Sequence, residues 1–551
     1  MQHTKRLRLL LMPVTMLIAL SALISPLTMQ GDDSQGDDAA ASENEWWNDR
    51  IFYEIFVRSF YDSDGDGIGD LQGVIEKLDY LNDGDPTTTD DLGVTGIWLM
   101  PIMPSPSYHG YDVTDYYDIH PDYGTLDDFR QLIEEAHQRG IAVIIDLVLN
   151  HTSSQHPWFL ESQKQTSSYN NWYVWEDENP NFRGPDGQTV WYRKNGRYYY
   201  ALFWSEMPDL NYANPVVTAQ MYDVTRFWLE EMNVDGFRLD AIKYIYANGP
   251  AQENTAETHA WLQMYHDYVK SIKPDAVLVG EAWTSTTLSA QYVPDEVDIV
   301  FEFDLATTLV RSASFGLPRT LIPMVETVLS TYPVNQYAVF ATNHDQNRLL
   351  SQVRGKVESA KLAAYVYVTL AGVPFIYYGE EIGMTGQKPD ELIRTPMQWN
   401  AESDTAGFTT GTPWQDLNND TDTANVADQQ ADGDSLWNVY DQLIDVRHNN
   451  SALRTGDLTM ITSNSRKVLS YLRTDSEQNL LVIINMDDRQ VQDYALTLDS
   501  STLASVNETS IILGEGDSTP QIPDLDTEGG FTGYLPFEAL EPFSITIIEL
   551  K

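Results

Sequence analysis

The stretch of sequence that decides the fold is VDGFRLDA, residues 234–241, a short apolar run that carries charged side chains. Side chains two positions apart on a strand share a face, so Arg238 and Asp240 point the same way. Phe237 and Leu239 alternate with them and have the character of buried residues. Because a buried charge is costly unless it is paired, the stretch predicts a buried strand that ends in a functional charge pair.

Similar apolar runs recur along the chain and alternate with amphipathic helical patterns. Continuous apolar strands separated by helices are typical of a parallel sheet covered on both faces, and eight such units predict a (β/α)8 barrel of the α/β class. The helical patterns are TLDDFRQLIEEAHQRG (125–140), VTAQMYDVTRFWLEEM (217–232) and AKLAAYVYVTLAG (360–372). The other strand patterns are IFYEIFVRSF (51–60), VTGIWLMP (94–101), IAVIIDLVLNH (141–151), AVLVGEAW (276–283), VDIVFEFD (297–304), YAVFATNHD (337–345) and VPFIYYGEEIG (373–383).

Breaks in this alternation predict the domain organisation. Residues 46–151 and 217–453 are predicted to form the barrel. The connection after the third strand, 152–216, is too long for a structureless loop and predicts an inserted subdomain B. From 454 to 551 the pattern becomes that of antiparallel strands, which predicts a C-terminal β-sandwich domain.

The N-terminus has the pattern of a secretory signal. Basic residues precede a long apolar run within residues 1–30, and residues 31–45 read as an acidic linker. We therefore expect a secreted, extracellular protein. An uncleaved membrane anchor is the alternative, because the apolar run is long enough to span a bilayer.

Composition excludes several classes of function. The chain has no cysteine, which removes disulfides, thiolate nucleophiles and cysteine-ligated zinc. The formal net charge of -49, from 82 acidic and 33 basic residues, repels nucleic acid and anionic lipid. We therefore expect no nucleic-acid partner and no membrane partner for the mature chain. The acidic excess fits either a salt-rich habitat or general solubility.

Polar residues cluster where the predicted strands end, which is the catalytic face of such a barrel. Glycoside hydrolysis needs one carboxylate facing the sugar and one carboxylic acid beside the leaving oxygen. Arg238 would keep Asp240 ionised as a nucleophile, and the apolar surroundings of Glu281 would raise its pKa as a general acid requires. Ordinary ion pairs at a barrel rim are the alternative interpretation. The residues concerned are Asp146, Asn150 and His151 after the third strand, Arg238 and Asp240 after the fourth, Glu281 after the fifth, and His344 and Asp345 after the seventh.

These residues lie in motifs that resemble glycoside hydrolase family 13, the α-amylase type. DLVLNH, GFRLDAIKY, VGEAW and TNHD are similar to its signature segments, and GVTGIWLMP, MPDLN and GVPFIYYGEEIG to secondary ones. The resemblance implies Asp240 as nucleophile, Glu281 as acid/base and Asp345 as transition-state stabiliser. It also implies a set of residues that hold the substrate or brace those that do: His109, Tyr111, Asp146, His151, Arg238, Lys243, His344 and Arg394.

Finer features place the chain in the group between α-amylases and oligo-1,6-glucosidases. RTPMQWN (394–400) and MPDLN (207–211) resemble that group. Ala241 after the nucleophile and His109 resemble amylases, which implies cleavage of internal α-1,4 bonds in starch and maltooligosaccharides. An α-glucosidase, an oligo-1,6-glucosidase or a transglycosylase of the same family is the alternative within enzymes. A non-catalytic carbohydrate-binding protein on the same barrel is the alternative outside them, although such proteins usually lack one of the three carboxylates.

One acidic loop predicts a metal site. YDSDGDGIGDLQG (61–73) places four aspartates at alternate positions, and clustered carboxylates repel one another unless a cation holds them. Hard oxygen ligands suit Ca2+, which we expect in a structural role; a solvated acidic turn is the alternative. The loop resembles the metal loop of oligo-1,6-glucosidase relatives, where the carbonyl of residue 68 is also a ligand. The predicted ligands are Asp62, Asp64, Asp66, Ile68 and Asp70.

Overall fold

The computed structural model describes residues 45–401, 404–514 and 519–551, and it confirms the (β/α)8 barrel. Eight parallel strands close on themselves in the order β1-β2-β3-β7-β8-β9-β10-β11, with β11 pairing back to β1. Strands β4–β6 form a separate sheet in the insertion after β3. The bounds are β1 Phe52–Ile55, β2 Gly96–Leu99, β3 Ala142–Leu147, β4 Trp175–Glu176, β5 Trp191–Lys194, β6 Arg197–Tyr200, β7 Gly236–Leu239, β8 Val277–Gly280, β9 Ile299–Phe301, β10 Tyr337–Val339 and β11 Val373–Tyr377.

Helices follow the barrel strands and cover the outside of the sheet. The pattern at 125–140 forms a helix that begins with a reciprocal cap between Thr125 and Asp128. The pattern at 217–232 forms a helix that ends in a π-helical turn, Phe227–Glu231. The α-helices are α1 Val57–Phe60, α2 Leu71–Glu76, α3 Leu78–Leu81, α4 Leu126–Gln138, α5 Pro157–Ser162, α6 Pro215–Arg226, α7 Ala256–Ile272, α8 Thr286–Ser289, α9 Phe303–Phe315, α10 Leu321–Thr331, α11 Leu349–Gln352, α12 Val357–Thr369, α13 Val426–Ala431, α14 Leu436–Asn449 and α15 Ser451–Thr455.

Two apolar layers explain why the strand sequences are nearly continuous hydrophobic runs. One face of each strand packs inside the barrel, where the rings of Phe52 and Phe375 stack with centroids 4.7 Å apart beside Trp98. The other face packs against the helices. Gly236 opens β7 because a Cβ atom there would lie 2.0 Å from the carbonyl oxygen of Val277 on β8. The core therefore holds the strand ends rigidly around one mouth.

The insertion after β3 contains a small sheet of its own. Strands β4, β6 and β5 pair antiparallel in that order, and Val190, Trp191, Tyr200 and Leu202 form a small apolar cluster beside them. This sheet lies within the range proposed for subdomain B, 152–216. Helix α6, which returns the chain to the barrel, begins at Pro215.

The C-terminal part of the chain is an antiparallel sheet, as predicted. Its seven strands pair in the order β16-β18-β14-β13-β12-β15-β17. Alternate residues of β14 face different cores: Leu480 and Val482 join the main core, whereas Leu481 and Ile483 pack in a cluster that includes residues of the edge strand β17. The bounds are β12 Asp457–Ser463, β13 Val468–Thr474, β14 Asn479–Asn485, β15 Leu496–Leu498, β16 Thr509–Leu513, β17 Phe531–Tyr534 and β18 Ser544–Leu550.

The N-terminal predictions lie outside the described residues, except for Glu45 at the end of the linker. They are the signal peptide, 1–30, and the acidic linker, 31–45. Within the described part of the chain, no helix has the length and apolar character needed to span a bilayer.

Candidate active site

The barrel register brings the polar strand-end residues together. Asp146 on β3 and Arg238 on β7 are direct neighbours across parallel strands. Asp240 follows β7 immediately and Glu281 follows β8. Because parallel strands end at the same edge of the barrel, these side chains converge on one mouth, as the sequence predicts.

Arg238 is the centre of the charge network. Its Nη1 atom lies 2.8 Å from Oδ1 of Asp146 and 2.8 Å from Oδ1 of Asp240. Its Nη2 atom lies 2.9 Å from Oε2 of Glu281. Arg238 is fully buried and Asp146 has no exposed side-chain surface, so these charges interact with little screening by water. The expectation that Arg238 acts on Asp240 was incomplete, because the same guanidinium also contacts Glu281.

A strained backbone position links the two central carboxyl groups. Ala241, directly after Asp240, has φ 50° and ψ 39°, the left-handed conformation that a residue with a Cβ atom rarely adopts. In this conformation its N–H donates a 3.0 Å hydrogen bond to Oε2 of Glu281. Such strain persists only where the surrounding structure holds it, and here it fixes Glu281 relative to Asp240.

A second chain of contacts holds Asp345. His344 Nε2 lies 3.3 Å from Oδ2 of Asp345, and its Nδ1 atom is bonded to Glu54 from β1. The hydroxyl of Tyr111 contacts His344 Nε2 at 2.7 Å and donates to Asp146 at 2.9 Å. This chain connects the Asp345 side of the mouth to the Arg238 network.

Arg394 holds the other side of Asp345. Its Nη2 atom lies 2.7 Å from Oδ1 of Asp345 and 3.5 Å from Oδ2 of Asp390, while Nε donates to the carbonyl of His344 at 2.9 Å. Asp345 is therefore positioned between two cationic groups, although 32 % of its side chain remains exposed to the mouth. A carboxylate so held stays ionised and faces the mouth of the barrel.

Burial and neighbouring charges shift the pKa values of these groups in different directions. Burial would raise the pKa of Asp345, but His344 and Arg394 outweigh it and hold the pKa well below its usual range. Burial would lower the pKa of His344, but Asp345 and Glu54 raise it to about 10, so this imidazole is cationic at neutral pH. Burial raises the pKa of Asp240 and of Glu281, and Arg238 opposes the shift in both.

The network holds more carboxyl groups than cations, which favours protonation of at least one carboxyl group. Like charges at close range cannot all ionise in a buried site, so protonation of one member is favoured. Burial raises the pKa of Asp146 to about 7 although Arg238 opposes the shift, and burial also raises the pKa of Glu281, so both are candidates to hold that proton. The network contains six carboxyl groups and three cations: Glu54, Asp146, Asp240, Glu281, Asp345 and Asp390 against Arg238, His344 and Arg394.

These groups open into a cleft of about 690 Å³, which we call the catalytic cleft. Eight of the predicted site residues line it, whereas Asp146, Arg238 and His344 lie beneath them and act through hydrogen bonds. Lys243 pairs with Glu253 at 2.9 Å on one wall. The lining residues are His109, Tyr111, His151, Pro185, Asp186, Phe203, Met207, Asp240, Ala241, Lys243, Tyr244, Glu253, Glu281, Trp283, Asp345, Asp390 and Arg394.

Sequence reasoning missed several residues of the site. Glu54 is a lone charge within the apolar strand β1, and that isolation was a usable signal. Asp390 and Glu253 lie in loops, where only the fold shows that they face the catalytic cleft. Phe203 lies in an aromatic-rich segment and Trp283 follows an apolar strand, so nothing in the sequence distinguished them from core residues.

The acidic loop after β1 brings together part of the predicted metal site. Carboxylate oxygens of Asp62, Asp64 and Asp70 lie within 4.8 Å of one another, a set of hard oxygen donors that fits Ca2+. Oδ1 of Asp66 instead accepts a hydrogen bond from the N–H of Ile68 at 2.8 Å, and Asp66 does not belong to this group. Asp70 also caps helix α2 through the N–H of Gly73 at 2.7 Å.

Comparison with known proteins agrees with this geometry. The chain is 42% identical over 453 residues to "Alpha-amylase 3" of Dictyoglomus thermophilum, covering 80% of this chain and 85% of that protein. It is 34% identical over 526 residues to the oligo-1,6-glucosidase of Parageobacillus thermoglucosidasius, covering 81% and 91%. The solved α-amylase from H. orenii superposes with a TM-score of 0.78 at 40% identity, covering 91% of this chain and 99% of that one. Because residues 54–456 also match the family described as "Alpha amylase, catalytic domain", the chain belongs to the α-amylase family, glycoside hydrolase family 13.

Proposed function

We propose that this glycoside hydrolase is a secreted, retaining α-amylase that cleaves internal α-1,4-glucosidic bonds of starch and maltooligosaccharides. The observation that carries the proposal is the pairing of Asp240 and Glu281 through one guanidinium, that of Arg238, at the floor of an open cleft. Two carboxyl groups bound to the same small cation lie close together, as a retaining mechanism requires. Asp345 faces them from between its two cations.

In the first step, Asp240 attacks the anomeric carbon of the bound sugar while Glu281 donates its proton to the leaving oxygen. The bond from the anomeric carbon to that oxygen breaks, and an ester to Asp240 forms. Ionised Asp345 stabilises the positive charge that develops on the sugar ring. In the second step, Glu281 takes a proton from water, which displaces Asp240 and restores the enzyme.

The surroundings of His109 support internal cleavage. Burial lowers the pKa of His109, Asp112 opposes the shift and Arg394 adds to it, so the imidazole is uncharged near pH 7. Arg394 pairs with Asp345 and Asp390. His109 offers no negative charge that could pair with Arg394 across the cleft, so we expect this end to stay open to a long chain.

The early products from starch and from a long maltooligosaccharide test this proposal. We expect a mixture of oligosaccharides from the first minutes of reaction, with little action on isomaltose. Release of glucose alone from chain ends would contradict internal cleavage.

An α-glucosidase or oligo-1,6-glucosidase is the second candidate function. The observation that favours it is the 34% identity to the P. thermoglucosidasius oligo-1,6-glucosidase over 91% of that protein. Rapid hydrolysis of isomaltose without early oligosaccharide products would support this candidate over the first.

A structural Ca2+ in the loop after β1 is part of the proposal. Asp62, Asp64 and Asp70 would hold it, since their oxygens already lie together, with further ligands from Asp66 and the carbonyl of Ile68. The ion would stabilise the loop that leads into helix α2, and no chemical step involves it.

A further inference from the structure

Two adjacent glutamates just beyond strand β11 are buried outside the charge network of the active site. They follow Gly379, whose φ of 77° lets the chain turn sharply after the strand. Glu380 is 3% exposed and Glu381 is fully buried. Because a buried carboxyl group is costly unless it is hydrogen-bonded, the partners of these two side chains show what each of them holds in place.

Glu381 holds strand β1. Its Oε1 atom accepts hydrogen bonds from the hydroxyl of Tyr53 on β1 at 2.8 Å and from that of Tyr80 on α3 at 2.6 Å. Tyr53 directly precedes Glu54, which is bonded to Nδ1 of His344. Glu381 thus fixes the strand from which Glu54 reaches the active site.

Glu380 joins the segment that leads into the active site to helices outside the barrel. Its Oε2 atom accepts a 2.7 Å hydrogen bond from the hydroxyl of Thr342. Its Oε1 atom accepts bonds from Tyr440 on α14 at 2.7 Å and from Tyr367 on α12 at 3.0 Å. Burial raises the pKa of Glu380 to about 7, while the three hydroxyl groups oppose that rise and favour the ionised acceptor.

Thr342 lies on the segment that carries Asp345. Strand β10 ends at Val339, and residues 340–345 continue from it as irregular chain. Thr342 is buried midway along this segment, three residues before Asp345. The N–H of Asp345 donates a 3.0 Å hydrogen bond to Oδ1 of Asn343, the neighbour of Thr342. A shift of Thr342 would therefore move the backbone of Asp345.

Glu380 differs from the other groups that hold this segment. His344 and Arg394 contact Asp345 directly and belong to the mouth of the barrel. Glu380 does not line the catalytic cleft, and two of its three hydroxyl partners lie on helices of the outer layer. It therefore fixes the backbone before Asp345 relative to the outer layer of the fold.

We propose that Glu380 is a positioning residue, which fixes Asp345 for catalysis through its hydrogen bond to Thr342. The inference rests on the proposed retaining mechanism, in which ionised Asp345 stabilises the charge that develops on the sugar ring. Since this charge develops in the transition state, a displaced Asp345 slows the reaction more than it weakens the binding of substrate.

The test uses α-maltosyl fluoride, whose leaving group needs no proton from Glu281. Thr342→Val keeps the shape of the side chain and removes the hydroxyl. We expect kcat for fluoride release to fall by about ten- to 100-fold, the loss typical of a misplaced charged group, with KM changed by less than about twofold. Thr342→Ser restores the hydroxyl and should recover most of kcat.

A second variant breaks the same bond from its other end. Glu380→Asp keeps the charge but shortens the side chain, so it should lower kcat by a similar factor. The effects of Thr342→Val and Glu380→Asp on kcat should not add in the double variant, because the first substitution has already removed the shared bond. Either single variant tests the bond if the other fails to fold.

Thr286→Val is the matched control for a general loss of stability. Thr286 donates a 2.8 Å hydrogen bond to Oε1 of Glu302, another buried carboxyl group directly after a barrel strand, and neither residue lines the catalytic cleft. The substitution should lower the melting temperature about as much as Thr342→Val does, because both leave a buried carboxyl group with one donor fewer. It should nevertheless leave kcat within about twofold of the wild-type value.

Three results would overturn the positioning role of Glu380. They are an unchanged kcat in Thr342→Val, an equal loss of kcat in Thr286→Val, and additive losses in the double variant. A wild-type enzyme that releases no fluoride would instead refute the retaining mechanism, and the positioning role that rests on it would fall with it.

Discussion

The Nη2 atom of Arg238 lies 2.9 Å from Oε2 of Glu281. The same guanidinium contacts Asp240 at 2.8 Å, so one cation acts on both carboxyl groups of the proposed mechanism. Arg238 therefore cannot by itself keep Asp240 ionised as the nucleophile while leaving Glu281 protonated as the acid. The difference must come from their other contacts and from the excess of carboxyl groups over cations around them.

Replacing Arg238 should shift both the acid limb and the alkaline limb of the pH profile of kcat/KM. Burial raises the pKa of Asp240 and of Glu281, and Arg238 now opposes both shifts. In Arg238→Met, the acid limb of kcat/KM, which requires ionised Asp240, and the alkaline limb, which requires protonated Glu281, should both move to higher pH. We expect kcat to fall by roughly 100-fold as well, because the nucleophile loses its main hydrogen-bond donor.

Arg238→Lys is the matched control, because it keeps the charge but not the forked geometry. Its two limbs should move less than those of Arg238→Met. Movement of the acid limb alone in Arg238→Met would mean that the contact with Glu281 has no electrostatic effect.

The contacts of His344 with Asp345 and Glu54 should make the stability of the fold fall at alkaline pH. The pKa of His344 is about 10 in the folded protein against 6.5 as its ordinary value, so the folded state binds a proton that the unfolded state releases. Stability is fully present below pH 6.5 and is lost as pH rises towards 10, by about 1 kcal/mol per pH unit from this group. Denaturant unfolding across this range measures the loss.

Glu54→Gln tests the cause. It keeps a hydrogen-bond acceptor for Nδ1 but removes the negative charge, so the pKa of His344 should fall towards its usual value. The stability lost between neutral and alkaline pH should then be smaller than in the wild type. Parallel stability curves for the two proteins would show that Glu54 does not hold the proton on His344.

His109→Asp should shift the enzyme towards action at chain ends. A carboxylate at this position can pair with Arg394 and close the cleft beyond the attacked sugar. The share of glucose among early products from a long maltooligosaccharide should rise several-fold. His109→Asn changes the side chain without adding charge and should keep an internal pattern. Identical profiles for both variants would show that charge at this position does not govern the cleavage pattern.

The predicted calcium loop can be tested by its link to stability. A ligand bound only by the folded state stabilises it, so EGTA should lower the melting temperature of the wild type. Asp64→Ala should lower the melting temperature and remove most of the response to EGTA. Asp85→Ala is the control, because Asp85 makes a similar turn with Thr87 but lies outside the group formed by Asp62, Asp64 and Asp70. An EGTA response retained in Asp64→Ala would contradict the site.

The barrel and its strand-end residues were predictable because both follow from local pattern. Apolar runs identify the strands. A charged residue such as Asp240 at the end of a buried run indicates a functional site at that end of the strand. The contacts between distant residues were not predictable in the same way. His344 and Glu54 are 290 positions apart, and the contact from Arg238 to Glu281 depends on the rotation of one guanidinium.

The left-handed Ala241 illustrates a second limit. The left-handed conformation is disfavoured for alanine, so backbone propensities would not predict it at this position. It exists because the chain turns sharply after Asp240, and its N–H then reaches Glu281. Likewise, Phe203 and Trp283 are large aromatic residues of the kind that usually fill a core. Only the folded structure shows that they line the catalytic cleft.

The central claim is that Asp240 forms a covalent ester and Glu281 acts twice, first as acid and then as base. Proton NMR of a fresh starch digest tests it most directly, because the anomeric signals record the configuration of each newly released end before mutarotation. Two successive displacements predict that the α-anomer appears first and the β-anomer grows in later. The β-anomer appearing first would mean a single inverting displacement by water, and it would contradict the role of Asp240 as nucleophile.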